Sequence, residues 1–457
     1  MNTQHDFQPR IIPMAPTKRN LTSAGGLQTL LEAFDVSPLR EKFTECLPER
    51  TSPRSMGSYR LGLIQLGSFI YGHDCLADLD RFRKDPLLTE IMRGETVAPR
   101  TMGDFLRDFE PEHLEKLNKF LSMQSRSYRR QLERMLKKEF KPSLAPHLSI
   151  DSTSHVQSGE KMEGLEFNYK GEWGLDSQVI FDELGFCWDL ELRPGATKSG
   201  VGAGVQIRRA FSEYNFKDEK YLSADSAYCN QEVMTTCISL GVNFTITANQ
   251  ATTMWEDHIS EIMKWEKWQY TEAEREFARD HDIELEEMEL GRFYWKPSWN
   301  ENLRLPVVVK RTKVEQTSLL FGEWKYYGIV TNLPLLEWSL QEVVHHHNKR
   351  GNAENFIREE KFGYDLKHFP CLELKANHAY GLLAMVAHNV LRWASIHENP
   401  SRPRFAKGFR NKFIFIPGKI VSHARMLFLK IPDYFFEEVN NLRQALQLKP
   451  YPAVNTT

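Results

Sequence analysis

"PHLSIDSTSH", residues 146–155, is where the chain changes period. From about Leu21 to Phe140 apolar residues recur at helical spacing, punctuated by Pro48, Pro53, Pro86, Pro99 and Pro111. After Pro142 and Pro146 the pattern becomes strand-like, which predicts a short strand closing on Asp151 and a polar loop over "STSH". Downstream, "LDSQVIFDELGFCWDLELRPG" predicts two strands, about 175–182 and 186–193, around an Asp-Glu-Leu-Gly turn. A helix is expected over 201–213. "KYLSADSAYCN" (220–230) predicts a strand ending on Asp225, then a helix over 231–240 and a strand over 242–249. The order is β-β-β-α-β-α-β, a mixed α/β sheet with flanking helices and no internal repeat.

Composition bounds the answer loosely. At 457 residues the chain has room for two or three domains, and a charged fraction of 26% with 41% hydrophobic residues is ordinary for a soluble globular protein. No apolar run reaches the length of a membrane span, and the polar start lacks the apolar core of a signal peptide. Six dispersed cysteines without a CxxC pair read as reduced thiols, so a cytoplasmic protein without membrane contact is expected. His345–His347 point about 100° apart on a helix and converge poorly on one ion.

Net charge is −2, yet its distribution is uneven. Residues 401–430 hold eight Lys or Arg and no acid, and 126–141 hold seven cations against two acids; 256–290 restore the balance with thirteen acids against four cations. Basic stretches interleaved with Phe and Tyr suit a phosphate backbone, and also suit ordinary solvated faces.

The segment "HHHNKRGNAENFIREEK" (345–361) reads as one helix whose narrow stripe holds His347, Arg350, Glu354, Arg358 and Lys361. Taken alone it fits a solvated face with i,i+4 ion pairs. Asp151 and Asp225 change its meaning. Each closes an apolar strand and opens a polar loop, where open α/β sheets gather ligands. Either aspartate alone reads as a cap. If their strands are parallel neighbours, the two carboxylates stand together and repel unless a cation lies between them. Mg²⁺ or Mn²⁺ suits such oxygen ligands, and Glu354, brought over the sheet, would complete a site for two ions. That set would be catalytic in phosphoryl displacement on DNA, with the neighbouring cations on phosphates.

The three acids in this setting resemble the DDE transposases of bacterial insertion sequences, nearest to the family numbered thirteen-eighty, over about Leu21 to Lys430. "IDSTSH", "LSADSAY" and the glutamate helix carry the resemblance. The related helix signature runs Tyr, two residues, Arg, three residues, Glu, six residues, Lys; Arg350, Glu354 and Lys361 keep it, and His347 stands in the Tyr place. "RPGATKSG" (193–200), with Lys198, is similar to the loop after the third strand.

The resemblance implies an RNase H-like, five-stranded core. It also implies a β-rich insertion before the glutamate helix and an N-terminal helical DNA-binding region. The expected division is a disordered leader over 1–20, a DNA-binding region over 21–142, core over 143–249, insertion over 250–337, core over 338–398 and a basic region over 399–457. It implies a homodimer on double-stranded DNA that cuts terminal inverted repeats and joins the 3′-OH ends to target DNA. Lys198, His347, Arg350, Arg358, Lys361, Arg402, Arg404, Lys407, Arg410 and Lys412 are the expected DNA contacts. Trp299, in the turn "KPSWNEN", is the candidate for stacking an extruded base. Rival readings are a nuclease or resolvase of the same fold without strand transfer, and a non-catalytic DNA-binding derivative. A glycosidase with two carboxylates is disfavoured by the basic segments and the glutamate stripe.

Overall fold

The computed structural model describes residues 14, 16–17, 20–51, 55–94, 96–314, 324–423 and 425–452. The expected leader over 1–20 lies almost wholly outside them. The described strands, in chain order, are β1 (Leu21–Thr22), β2 (His147–Val156), β3 (Glu166–Phe167), β4 (Trp173–Asp182), β5 (Cys187–Pro194), β6 (Tyr221–Ala224) and β7 (Asn243–Thr247). They continue with β8 (Glu266–Lys267), β9 (Met288–Trp295), β10 (Leu305–Lys313), β11 (Trp324–Thr331), β12 (Gly418–His423) and β13 (Met426–Lys430).

The expected strand and helix order from 146 to 249 is present, with helices Ala203–Ala210 and Gln231–Leu240 between the later strands. In space the first five long strands run β5-β4-β2-β6-β7. β2 pairs antiparallel with β4 and parallel with β6, and β6 pairs parallel with β7. Apolar side chains of this sheet, among them Leu148, Ile150, Leu222, Phe244 and Ile246, are at most 1% exposed. Strands buried this thoroughly lie under layers on both faces.

Three expectations are corrected. The strand beginning at His147 does not stop at Asp151. Parallel pairing with β6 ends at Ile150↔Ala224, but pairing with β4 continues from Asp151↔Val179 to Val156↔Gly174. "STSH" is therefore half of a ladder, with Ser152, Thr153 and Ser154 half-buried and His155 buried, instead of a loop. The sheet has ten strands, not five. β11 pairs antiparallel with β7 (Thr331↔Thr245 to Ile329↔Thr247), and β10, β9 and β8 follow outward. The backbone groups of β7 that would form an open edge are satisfied by the strands after residue 287. The third correction is the stripe. Helices Leu340–Asn348 and Gly351–Gly363 are separate, joined through Lys349–Arg350, where hydrogen bonds tighten to Lys349 N→His346 O (3.3 Å) and Arg350 N→His347 O (3.2 Å). Gly351, with its low helix propensity, sits at the break.

The other edge of the sheet is closed by side chains. On helix Pro111–Met135, Asn118 exchanges two 3.0 Å hydrogen bonds with the backbone of Leu190. Ser122 donates to Trp188 O (2.7 Å) and Ser125 to Cys187 O (2.8 Å). Asn389, on helix Leu374–Glu398, accepts from Cys187 N (2.8 Å). A hydrophobic helix face alone would leave these β5 groups unpaired at a cost of about 1–3 kcal/mol each. The basic 126–141 stretch is correspondingly part core: Arg129 is 1% exposed, its guanidinium 2.9 Å from both Asp182 and Glu183. Residues 401–430, expected only as a basic segment, include the hairpin β12–β13, which forms a small sheet with β1.

Candidate active site

Alternation along strands fixes which face each acid takes. Ser177 and Phe181 of β4 meet Glu360 and Phe356 of helix Gly351–Gly363, so odd-numbered residues of β4 face that helix. Gln178 meets Gln206 of helix Ala203–Ala210 on the other face. Asp151 is opposite Val179 and shares the first face. The parallel register Ile150↔Ala224, carried one residue on, sets Asp225 beside Asp151 on that face. Glu354 lies in the first turn of the same helix, exposed. The two aspartates and the glutamate helix therefore share one side of the sheet.

Electrostatics agree. The Asp151 carboxyl is pushed up to about 6, first by burial and next by the charge of Asp225, with Glu354 adding and Arg350 opposing. Asp151 Oδ1 accepts from Ser152 N at 2.8 Å. Asp225 caps the turn Ser226–Tyr228, accepting from Ala227 N at 2.9 Å, so its capping role is real. The Tyr228 hydroxyl is held well above its usual range by burial, with Asp151 and Asp225 adding to it. Among the described residues no three His, Cys, Asp or Glu side chains converge closely enough to hold one ion. The charges of Asp225 and, more weakly, Glu354 both reach Asp151, and among the described residues Glu354 forms no ion pair.

The loop after β5 is folded onto this pair. Arg193 donates to Asp176 (2.8 Å), Gln178 (2.6 Å) and Val201 O (2.9 Å), which fixes the loop's two ends. Ser199 Oγ lies 2.6 Å from Ser152 Oγ, next to Asp151. Gly200 adopts φ +85°, and a Cβ there would stand 2.7 Å from Ala227 O, beside Asp225. Only glycine combines that φ with that approach. Lys198 is exposed at the head of the loop.

The expected DNA contacts divide into two groups. Lys198, Arg358, Arg402, Arg404 and Lys407 are exposed, and Arg350 is half-buried. Arg404 and Lys412 pair with Glu398 at 3.3 and 3.0 Å. His347 and Arg410 do not reach the surface. His347 is 1% exposed; Nδ1 donates to Thr245 O (3.3 Å), and Nε2 faces the hydroxyls of Tyr327 (3.0 Å) and Thr247 (3.2 Å). Arg410 donates to the carbonyls of Gly363 (2.7 Å), Phe69 (2.8 Å) and Ile70 (3.0 Å). Lys361 is half-buried, its ammonium 2.7 Å from Ser154 O, and burial lowers its pKa. Trp299 is half-buried and packs against the core, its ring nitrogen buried and without a hydrogen-bond partner.

Sequence reasoning missed Ser199, Gly200 and Tyr228 as neighbours of the acids. Only the proximity of "TKSG" and "DSAY" to the two strand ends could have signalled them. No helix among the described residues is long and apolar enough to cross a membrane. No curated protein matches the chain. A family model described as transposase DDE domain group 1 matches residues 7–450. This span takes in both aspartates, the glutamate helix and the basic segment, and the chain belongs to that family of DDE transposases.

Proposed function

We propose that this DDE transposase binds the terminal inverted repeats of its own insertion sequence, cleaves at their ends, and joins the freed 3′-OH to target DNA. The observation that carries the reading is the pairing of β2 with β6, which sets Asp151 and Asp225 side by side under the helix of Glu354. The strand order β5-β4-β2-β6-β7 supports an RNase H-like core.

Members of this family generally use divalent cations. The donor set fits: it is all oxygen, and the Asp151 carboxyl, raised first by burial and next by the charge of Asp225, sits where a cation would be stabilised. Asp151 and Asp225 would hold Mg²⁺ or Mn²⁺, and Glu354 would complete the set for a pair of ions. Bound there, such ions activate a water or 3′-hydroxyl and stabilise attacking and leaving oxygens. The chain's part is to orient. Ser199 and Gly200 hold the loop against Ser152 of β2 and the Asp225 turn, and the exposed Lys198 and Arg358, with the half-buried Arg350, bind phosphates on either side. Arg402 and Lys407 extend that surface over the basic C-terminal region. Two ends must be handled together, which calls for a homodimer on DNA, in the cytoplasm.

The test is incubation of the purified chain with a labelled element end, a target plasmid and Mg²⁺ or Mn²⁺. Metal-dependent cutting at the end and joined products are expected. Cutting without joining would assign a nuclease or resolvase, and binding without cutting a non-catalytic derivative.

A further inference from the structure

Three consecutive residues on the inner side of the glutamate helix are tied to three different elements. Glu359 accepts from the backbone N–H of Ala406 and lies 3.9 Å from His388. Lys361 donates to Ser154 O of β2 at 2.7 Å. Between them Glu360 is fully buried, although nothing in the proposed chemistry uses it. Its Oε1 accepts from Ser177 Oγ of β4 at 3.3 Å, and Ser177 lies 2.7 Å from Nε2 of His155, also buried, on β2. The His155 ring nitrogen is 3.7 Å from the same carboxyl oxygen. With neutral imidazole, Nε2–H donates to Ser177, whose hydroxyl donates to Glu360. His155 lies four positions after Asp151 on β2, and Glu360 six positions after Glu354 on the helix.

We propose that the Glu360–Ser177–His155 chain is a positioning device that fixes the helix of Glu354 against the strand of Asp151. This rests on the assignment of those two acids as catalytic. A salt link would not serve in so dry a place, since an ionised carboxylate needs a partner that neither Ser177 nor neutral His155 supplies. The brace therefore works with a protonated Glu360. Burial, above all, pushes its carboxyl up to about 7; Asp176 adds to this, while Lys361 and Ser177 oppose it.

The sign follows. The neutral form persists below about 7, and as pH rises through that value a buried charge appears and the brace weakens. The other groups facing Glu360 are His155, held neutral by burial down to about 3, Asp176, raised to about 6 by burial, Lys361, and Cys187, kept as a thiol. Glu360→Gln changes none of these side chains; it removes only the charge of Glu360 that bears on Lys361 and Cys187.

The experiment compares the full chain with Glu360→Gln and Glu360→Ala in single-turnover cleavage of a labelled end from pH 6 to 9. Hydrogen exchange of amides 352–358 is followed in parallel, without DNA, at matched pH. Glu360→Gln should match wild type at pH 6 and exceed it severalfold at pH 8.5. Glu360→Ala should lose about tenfold or more in cleavage rate with end-DNA affinity within about twofold, and its amides 352–358 should exchange faster than wild type. A pH-independent ratio of Glu360→Gln to wild type, or unchanged exchange in folded Glu360→Ala, would overturn the proposal. Exchange reads the brace even if the chain cuts no DNA, so failure of the catalytic assignment alone would show as altered exchange without cleavage in any form.

Discussion

Two arginines or lysines of the same basic segment can have opposite work, and burial separates them. Arg410 spends its guanidinium on three buried carbonyls and lies 5.0 Å over the Tyr364 ring. Arg410→Ala should therefore cost about 3–5 kcal/mol of folding stability, because buried acceptors are left unpaired. Lys407, exposed on helix Ala406–Phe409, should behave otherwise. Lys407→Ala should leave stability within about 0.5 kcal/mol and lower the salt dependence of DNA binding by roughly one phosphate contact. Chemical denaturation and binding at several salt concentrations give both answers. "FAKGFRNKF" offers no way to tell these cations apart, since helical position alone does not say which side meets Phe69 and Ile70 at the end of helix Ser58–Tyr71. The same holds for His347: it occupies a motif position, while contacts with Thr245 and Tyr327, 102 and 20 residues away in sequence, decide its burial.

Elements show where local pattern suffices and where it fails. The alternation in "PHLSID" and "KYLSAD" was enough to find β2 and β6 and the acids that follow their shared register. It could not extend β2 through "STSH", because that half of the strand exists only by pairing with β4. The loop over 194–202 depends on Gly200, so Gly200→Ala should strain the backbone at φ +85° and press on Ala227. A loss of about 1–3 kcal/mol in stability is expected, with slower cleavage from a displaced Asp225 turn; denaturation and single-turnover kinetics measure the two. The junction of β2 with helix Leu340–Asn348 should respond to acid. His147 and His346 stack at 4.0 Å between ring centroids, and both are held neutral by burial, His346 down to about 4. Their lowered values stabilise the fold above about 6.5, and that contribution is lost as pH falls toward 4. His346→Phe should remove about 2–3 kcal/mol of the stability change between pH 6.5 and 4, as read from urea unfolding at each pH.

For the whole molecule, the sheet is held from both ends. β11 continues it beyond β7, and helix Pro111–Met135 closes β5 through Asn118, Ser122 and Ser125. A fragment of residues 21–142 should therefore fold poorly alone, showing weak helical dichroism and no cooperative melt, because it strands Arg129 and these polar groups without partners. Helical character upstream of Pro142 was legible from apolar spacing, whereas its attachment to a strand edge was not, since Asn and Ser on a helix read as solvent-facing. The same holds for the site. The two acids could be placed by the alternation of their strands, while the break at Lys349–Arg350, which divides the charge stripe between two helices, was not legible in the spacing of its charges. The central claim is that Asp151, Asp225 and Glu354 form one metal-dependent centre. Its most direct test is single-turnover cleavage of a labelled element end in Mn²⁺ by Asp151→Ala, Asp225→Ala and Glu354→Ala. Each should lose about 1000-fold or more in rate while binding the end within a few-fold of wild type; near-wild-type cleavage by any one of the three would contradict the claim.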